Sequence, residues 1–169
     1  MKAVIRSCKP YWFYLIIQGV KIIEVGKTAP TAIDWDKTVY MYCSKDKKSF
    51  NKIPEEDRKW FSLFLGKVVC EFHCGGMMCS EALFMPCNIK YHCIQTDELY
   101  KYSNGKSLYG WKISKLKIYD EPKEVGKFFI FEREIGSGWL TDYCEYRNYL
   151  TKPPQSWQYC EELEENKNE

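Results

Sequence analysis

Residues 7–27 read SCKPYWFYLIIQGVKIIEVGK, and the fold turns on how this stretch divides. Pro10 suits the first turn of a helix, where its missing N–H would have no partner anyway. The mostly apolar run 11–18 supplies about two helical turns. Gly19 is the expected left-handed terminator, and Ile22, Ile23 and Val25 favour a strand. The segment is predicted as helix, reversal and strand, with two opposite charges, Lys21 and Glu24, at the change of direction. In a regular strand residues three apart point to opposite faces. Lys21 and Glu24 therefore share a pocket only if Lys21 stands in the turn, before regular pairing begins. The bland alternative is a solvated pair on a chain reversal.

Working outward, short alternating segments predict further strands at 2–6, 38–43, 67–74, 111–119, 128–131 and 157–160. In 38–43, Val39, Met41 and Cys43 fall on one face. In 67–74, Val68, Cys70, Phe72 and Cys74 fall on one face and Val69, Glu71 and His73 on the other. Glu71 reads as a barrel-rim residue or a pocket acid, and His73 as a partly buried structural residue. Acidic residues after Pro54 open a helix whose expected apolar face is Trp60, Leu63 and Phe64. Thr96 is the expected N-cap of a second helix over 97–102, stopped by Asn104-Gly105. The Lys-rich run 44–52 and the segment 75–95 are expected to be irregular, 120–122 a turn, and Gly136-Ser-Gly138 a loop. This pattern predicts an α+β, mainly β fold: a small, mostly antiparallel β-barrel with short flanking helices and no βαβ winding. One domain spans 1–160, with additions around 44–66 and 75–95, and 161–169 forms an acidic tail.

The chain has 169 residues, 45% hydrophobic and 17% aromatic, with a formal charge of +2. Five Glu against one Lys leave 161–169 at −4, so the first 160 residues carry +6. A modestly basic body fits local contact with phosphates, not a nucleic-acid coat. Nine cysteines, an odd number at irregular spacing with no preceding secretory pattern, read as free thiols in a reducing cytoplasm. Cys74, Cys79, Cys87 and Cys93 lie close together beside His73 and His92, yet no C-x-x-C knuckle is present, so no metal is expected. No run approaches the ~20 apolar residues of a membrane span. Phosphate-loop and hydrolase-elbow motifs are absent, and no cofactor is expected.

Three blocks carry a family resemblance. The first is Ser7-x-Lys9-Pro10 with Gly19-x-Lys21-x-Ile23-Glu24-Val25. The second is Gly66-Lys67-Val68-Val69 with Glu71-Phe72. The third is Tyr109-Gly110-Trp111-x-Ile113-Ser114, followed by Leu116-Lys117-Ile118-Tyr119 and Pro153-Pro154-Gln155-Ser156-Trp157. In this order they resemble the ASCH domain, a branch of the PUA-like β-barrel superfamily. The resemblance implies a barrel with a basic-edged cleft that binds RNA or a nucleotide. Some relatives are amidohydrolases of acylated cytidine or metal-assisted ribonucleases. Lys21 matches the signature lysine. Glu24 stands where the amidohydrolases have threonine, and Gly26 where many relatives have arginine, which removes a bidentate phosphate contact.

Three readings follow. In the first, the cleft binds RNA or a modified nucleotide. Lys21 is the anchor, Lys9 and Lys27 lie at its basic edge, Trp111 or Trp157 offers a stacking face, and Gln155, Ser156 and Glu24 meet a base edge. In the second, Lys21 and Glu24 serve a hydrolase, a role the ion pair opposes by holding Lys21 charged. In the third, the additions at 45–52, 54–65 and 75–95 form a protein-interaction surface.

Overall fold

The computed structural model describes residues 2–30, 36–131 and 147–163. The expected loop at 136–138, Cys144 and residues 164–169 of the acidic tail lie outside them. The chain opens with β1 (Lys2–Cys8), α1 (Pro10–Ile17), a reversal and β2 (Ile23–Gly26). Gly19 adopts φ +72°, and the N–H groups of Val20 and Lys21 both donate to the Leu15 carbonyl at 3.0 Å, closing the helix. Thus 7–27 divides as its sequence predicts.

Next come β3 (Lys37–Cys43), α2 (Lys47–Phe50), α3 (Glu55–Phe61), β4 (Val68–Cys74), β5 (Met77–Met78), α4 (Ser80–Leu83), α5 (Ile89–His92) and α6 (Thr96–Ser103). β6 (Tyr109–Lys112), β7 (Ser114–Lys123), β8 (Phe129–Phe131), β9 (Arg147–Tyr149) and β10 (Trp157–Glu161) complete the described elements. The strands form a five-stranded sheet in the order β10-β1-β3-β4-β7, a three-stranded sheet β2-β6-β5 and a β8-β9 pair. The fold is mixed α+β.

The described strand pairs are antiparallel, as expected, with one exception that brings a helix-containing crossover the sequence did not suggest. β1 and β3 pair in parallel, from Val4 opposite Val39 to Cys8 opposite Cys43. A parallel pair needs a long crossover, which α1 and β2 provide. β2 hides this in the sequence, because it leaves for the smaller sheet.

Alternation along the large sheet separates two cores. Val4, Cys8, Val39, Met41 and Cys43 face α1, α3 and Trp111. Ala3, Ile5, Tyr40 and Tyr42 face Phe128 and Leu150 on the other side. β4 departs from simple alternation: a register shift between Val68 and Cys70 leaves Val68 in the second core and Val69 beside Cys70 in the first. Such a bulge resets the two-residue period.

Other segments differ from their expected form for local reasons. The Lys-rich run contains α2, capped by the Asp46 carboxylate, which accepts from the Ser49 N–H at 3.0 Å. In α3 the buried residue is Phe61, while Leu63 is 70% exposed, because a 3-10 turn (Ser62–Phe64) follows and changes the angular phase. The segment 75–95 contains β5 and short helical turns. Thr96 is the first residue of α6, with Gln95 at the N-cap, and Asn104 ends the helix at φ +47°. The expected strand 111–119 splits at Ile113 between the two sheets. Pro122 lies inside β7, tolerated because β7 is an edge strand. Among the described residues no helix is long and apolar enough to cross a membrane.

Candidate functional site

β2 has both faces covered. Ile23 and Val25 pack toward α4–α6 with Leu83, Ile94, Leu99 and Leu108. Alternation turns Glu24 the other way, toward the large sheet. There it meets Arg6 of β1, and the pairing registers explain why. Glu24 lies opposite Trp111 in the small sheet, and Arg6 opposite Trp157 in the large one. The four side chains form one layer at the seam. Arg6 Nη2 donates to Glu24 Oε1 at 3.4 Å and to the Val25 carbonyl at 3.1 Å. Its guanidinium stacks 4.7 Å from the Trp111 ring centroid, and Trp111 meets Trp157 edge-to-face at 6.1 Å.

Lys21 completes the cluster from the turn before β2, so its odd spacing from Glu24 does not separate them. Its Nζ lies 3.5 Å from Glu24 Oε2, donates to the His92 carbonyl at 2.7 Å and sits 5.3 Å from the Trp12 ring centroid. Arg6, Lys21 and Glu24 are 3%, 1% and 6% exposed. Two cations and one carboxylate are thus taken out of water together. The nearby titratable groups are held neutral. Burial, and secondarily Glu24, pushes the Cys8 thiol well up. Burial also raises Tyr102 and lowers His92.

The His92 tautomer follows from its contacts. Nδ1 accepts from the Ile94 N–H at 3.2 Å, so Nε2 carries the proton and donates to the Leu83 carbonyl at 3.0 Å.

The other expected residues are dispersed around this cluster. Trp111 is 1% exposed, so it belongs to the core and offers no stacking face. Trp157 is partly buried, and its Nε1 donates to Thr28 Oγ1 at 2.9 Å. Gln155 and Ser156 line, with Trp157, a cavity of about 520 Å³ walled by Ile130 and residues 148–158. The Ser156 carbonyl accepts from the Ser7 N–H, and Ser7 Oγ donates to the Pro154 carbonyl. Lys27 is exposed, its Nζ 4.8 Å from the Tyr102 ring centroid.

Lys9 is exposed and pairs with Asp46 at 3.5 Å. It lines a second cleft of about 220 Å³ with Tyr11, Trp12, Lys48, Lys52, Asp46 and Glu98. Neither cavity is lined by Lys21. Only Trp12 is common to Lys21 and the second cleft.

Arg6 is the residue that sequence reasoning missed. The signal was an arginine in an otherwise apolar strand together with Gly26. A Cβ on Gly26 would lie 2.7 Å from Arg6 Nη2 and 3.0 Å from Nη1. Glycine at 26 therefore makes room for a guanidinium that arrives from β1.

Glu71 accepts from the Tyr119 hydroxyl at 2.6 Å and pairs with Lys117 at 3.8 Å, away from this cluster. His73 pairs with Asp36. The eight described cysteines are free thiols. Among the described residues no three His, Cys, Asp or Glu side chains converge as a metal site.

No family model matches the sequence, and no curated protein matches it. Solved structures do. The ASCH protein of Zymomonas mobilis superposes at a TM-score of 0.59 with 11% identity, over 93% of this chain and 86% of that one. Two point-substituted forms of the same protein give TM-scores of 0.59 at 11% and 10% identity, covering 94% and 93% of this chain and 90% and 87% of theirs. At this identity the likeness concerns architecture, and it agrees with the sequence blocks: the chain has the ASCH-type fold.

Proposed function

We propose that the chain binds RNA or a nucleotide, with the Lys9–Lys48–Lys52 cleft as its contact surface and Lys21 as the buried anchor behind it. The observation that carries this reading is the composition of the cleft. Three exposed ammonium groups surround two aromatic rings, Tyr11 and Trp12. Lys52 Nζ lies 5.7 Å from the Tyr11 ring centroid. Cations for phosphate and rings for bases are the two things single-stranded nucleic acid asks of a surface. Asp46 and Glu98 also line the cleft and offset two of the three ammonium charges, Asp46 by pairing with Lys9, so the lining keeps a net charge of +1. Lys21 is engaged by Glu24 and the His92 carbonyl and covered by Trp12, an anchoring arrangement and not that of a proton acceptor.

The test is fluorescence anisotropy with a short single-stranded RNA over a salt series. Combined Lys9→Ala, Lys48→Ala and Lys52→Ala is expected to weaken binding and to reduce the slope of log K against log salt by about 2, from ~0.7 per phosphate contact. An unchanged slope in the triple variant would remove this surface from consideration.

A further inference from the structure

We infer that Arg6 and Trp111 form a buried receptor for one oxyanion, the phosphoryl or carboxylate group of a small ligand. The inference shares Lys21 with the nucleic-acid reading but not its Lys9–Lys48–Lys52 surface, and its donors, Arg6 and Trp111, line neither cavity. Its first support is an inventory of donors. Arg6 Nε, Arg6 Nη1 and Trp111 Nε1 are all buried and have no hydrogen-bond partner among the described residues. Guanidinium and indole nitrogens of this kind only donate, so an acceptor alone can complete them. Buried donors in folded proteins nearly always have a partner, because an orphan forfeits its hydration without return. Three orphans on two side chains that touch, with the guanidinium 4.7 Å from the ring, describe one location and not three separate lapses.

The second support is charge. Among the described residues Arg6 and Lys21 face a single carboxylate, Glu24, and all three are over nine-tenths buried. The other described groups around the cluster do not offset the excess: Cys8, Tyr102 and His92 are neutral for the reasons given above. One oxyanion would neutralise the excess and accept from the orphaned donors together. A water molecule would satisfy the donors alone. Gly26 is the third support, since any side chain there would displace the guanidinium.

The experiment is a proton–nitrogen correlation titration of the full chain with sodium phosphate, sulfate or acetate, at ionic strength held constant with chloride. Trp111→Phe and Arg6→Lys assign the Trp111 indole N–H and the Arg6 Nε–H. The expected result is a saturable shift of both signals with one common midpoint, and a concentration-dependent rise in Tm. Arg6→Lys should weaken the midpoint by about tenfold or more, through loss of the planar donor set. Lys9→Ala should leave it unchanged. The phosphate and acetate arms separate a phosphoryl from a carboxylate preference. Signals that do not move, or drift without saturating, overturn the inference and leave water as the acceptor. A midpoint unchanged in Arg6→Lys overturns it by placing the ion elsewhere. Should Arg6→Lys not fold, Trp111→Phe decides in its place: an unchanged midpoint on the Arg6 signal overturns the inference. Failure here leaves the RNA salt slope untouched, and failure of the lysine variants leaves the oxyanion titration untouched.

Discussion

Glu24 is the only acid paired with Arg6 and Lys21 among the described residues, and its replacement exposes what the pairing does. Glu24→Gln keeps the shape but leaves two buried cations facing each other. Removing one partner of a buried ion pair costs about 3–5 kcal/mol, so urea unfolding of this variant is expected to show a loss of that order. Gly26→Ala tests the other side of the same guanidinium. The φ of Gly26 is not in the left-handed region, so the cost is steric: the new methyl would approach within 2.7 Å of Arg6 Nη2. Overpacking of this kind costs about 1–3 kcal/mol. The loss should shrink when Arg6→Lys is made in the same chain, because the two changes share one space. A fully additive double variant would show that the contact is not the cause.

Two short elements hold the surroundings in place. Asp46 caps α2, and Asp46→Ala should cost about 1 kcal/mol in a denaturant titration at neutral pH. The Asp46 carboxyl sits below its ordinary range, chiefly because the Ser49 N–H stabilises the charged form, with Lys9 adding to it. Its contribution is therefore present above the ordinary carboxylate pKa and disappears as pH falls through the lowered one. Asp46→Ala should flatten that part of the acid limb.

His92 works in the opposite charge sense. Burial is the largest cause holding its pKa down, so below about pH 6.5 the unfolded chain binds a proton that the folded one refuses. Stability should decline as pH drops from that value toward the folded pKa, and His92→Gln should lessen the decline. Unfolding free energies at pH 7.5 and 5.5 compare the two directly.

These elements also show where the sequence was readable. α1 and its stop were legible because Pro10 and Gly19 act locally. α2 was not, since a four-residue helix leaves only its cap as a signal. The Lys21–Glu24 contact was legible as a condition on the turn. Arg6 was not legible, because its partner lies across a seam between two sheets that no local pattern announces.

At the scale of the molecule, β1 is central. It pairs with β3 on one side and β10 on the other, so the first and last described strands are neighbours. Trp157, on β10, packs against Trp111 and Tyr159 and reaches Thr28 through its indole N–H. Trp157→Ala should cost about 3–5 kcal/mol if the site does not collapse, and less if Tyr159 moves in. A thermal melt with near-UV circular dichroism would report both the loss and any change in the aromatic layer. The parallel β1–β3 pair and the split of 111–119 between sheets were hidden for a shared reason: each depends on which sheet an intervening segment joins. The two covered faces of the large sheet, by contrast, follow from the alternation in β1 and β3, with the bulge in β4 as the exception.

The space shared by Arg6 and Gly26 also makes a statement about ancestry. Positions 6 and 26 cannot be optimised separately: a long cation at one crowds a side chain at the other. Among chains that share this architecture, the two columns should trade, with glycine at 26 wherever arginine occupies 6 and a shorter residue at 6 wherever 26 carries a side chain. A set of aligned sequences in which the two vary independently would show that the seam can be packed in ways this molecule does not use.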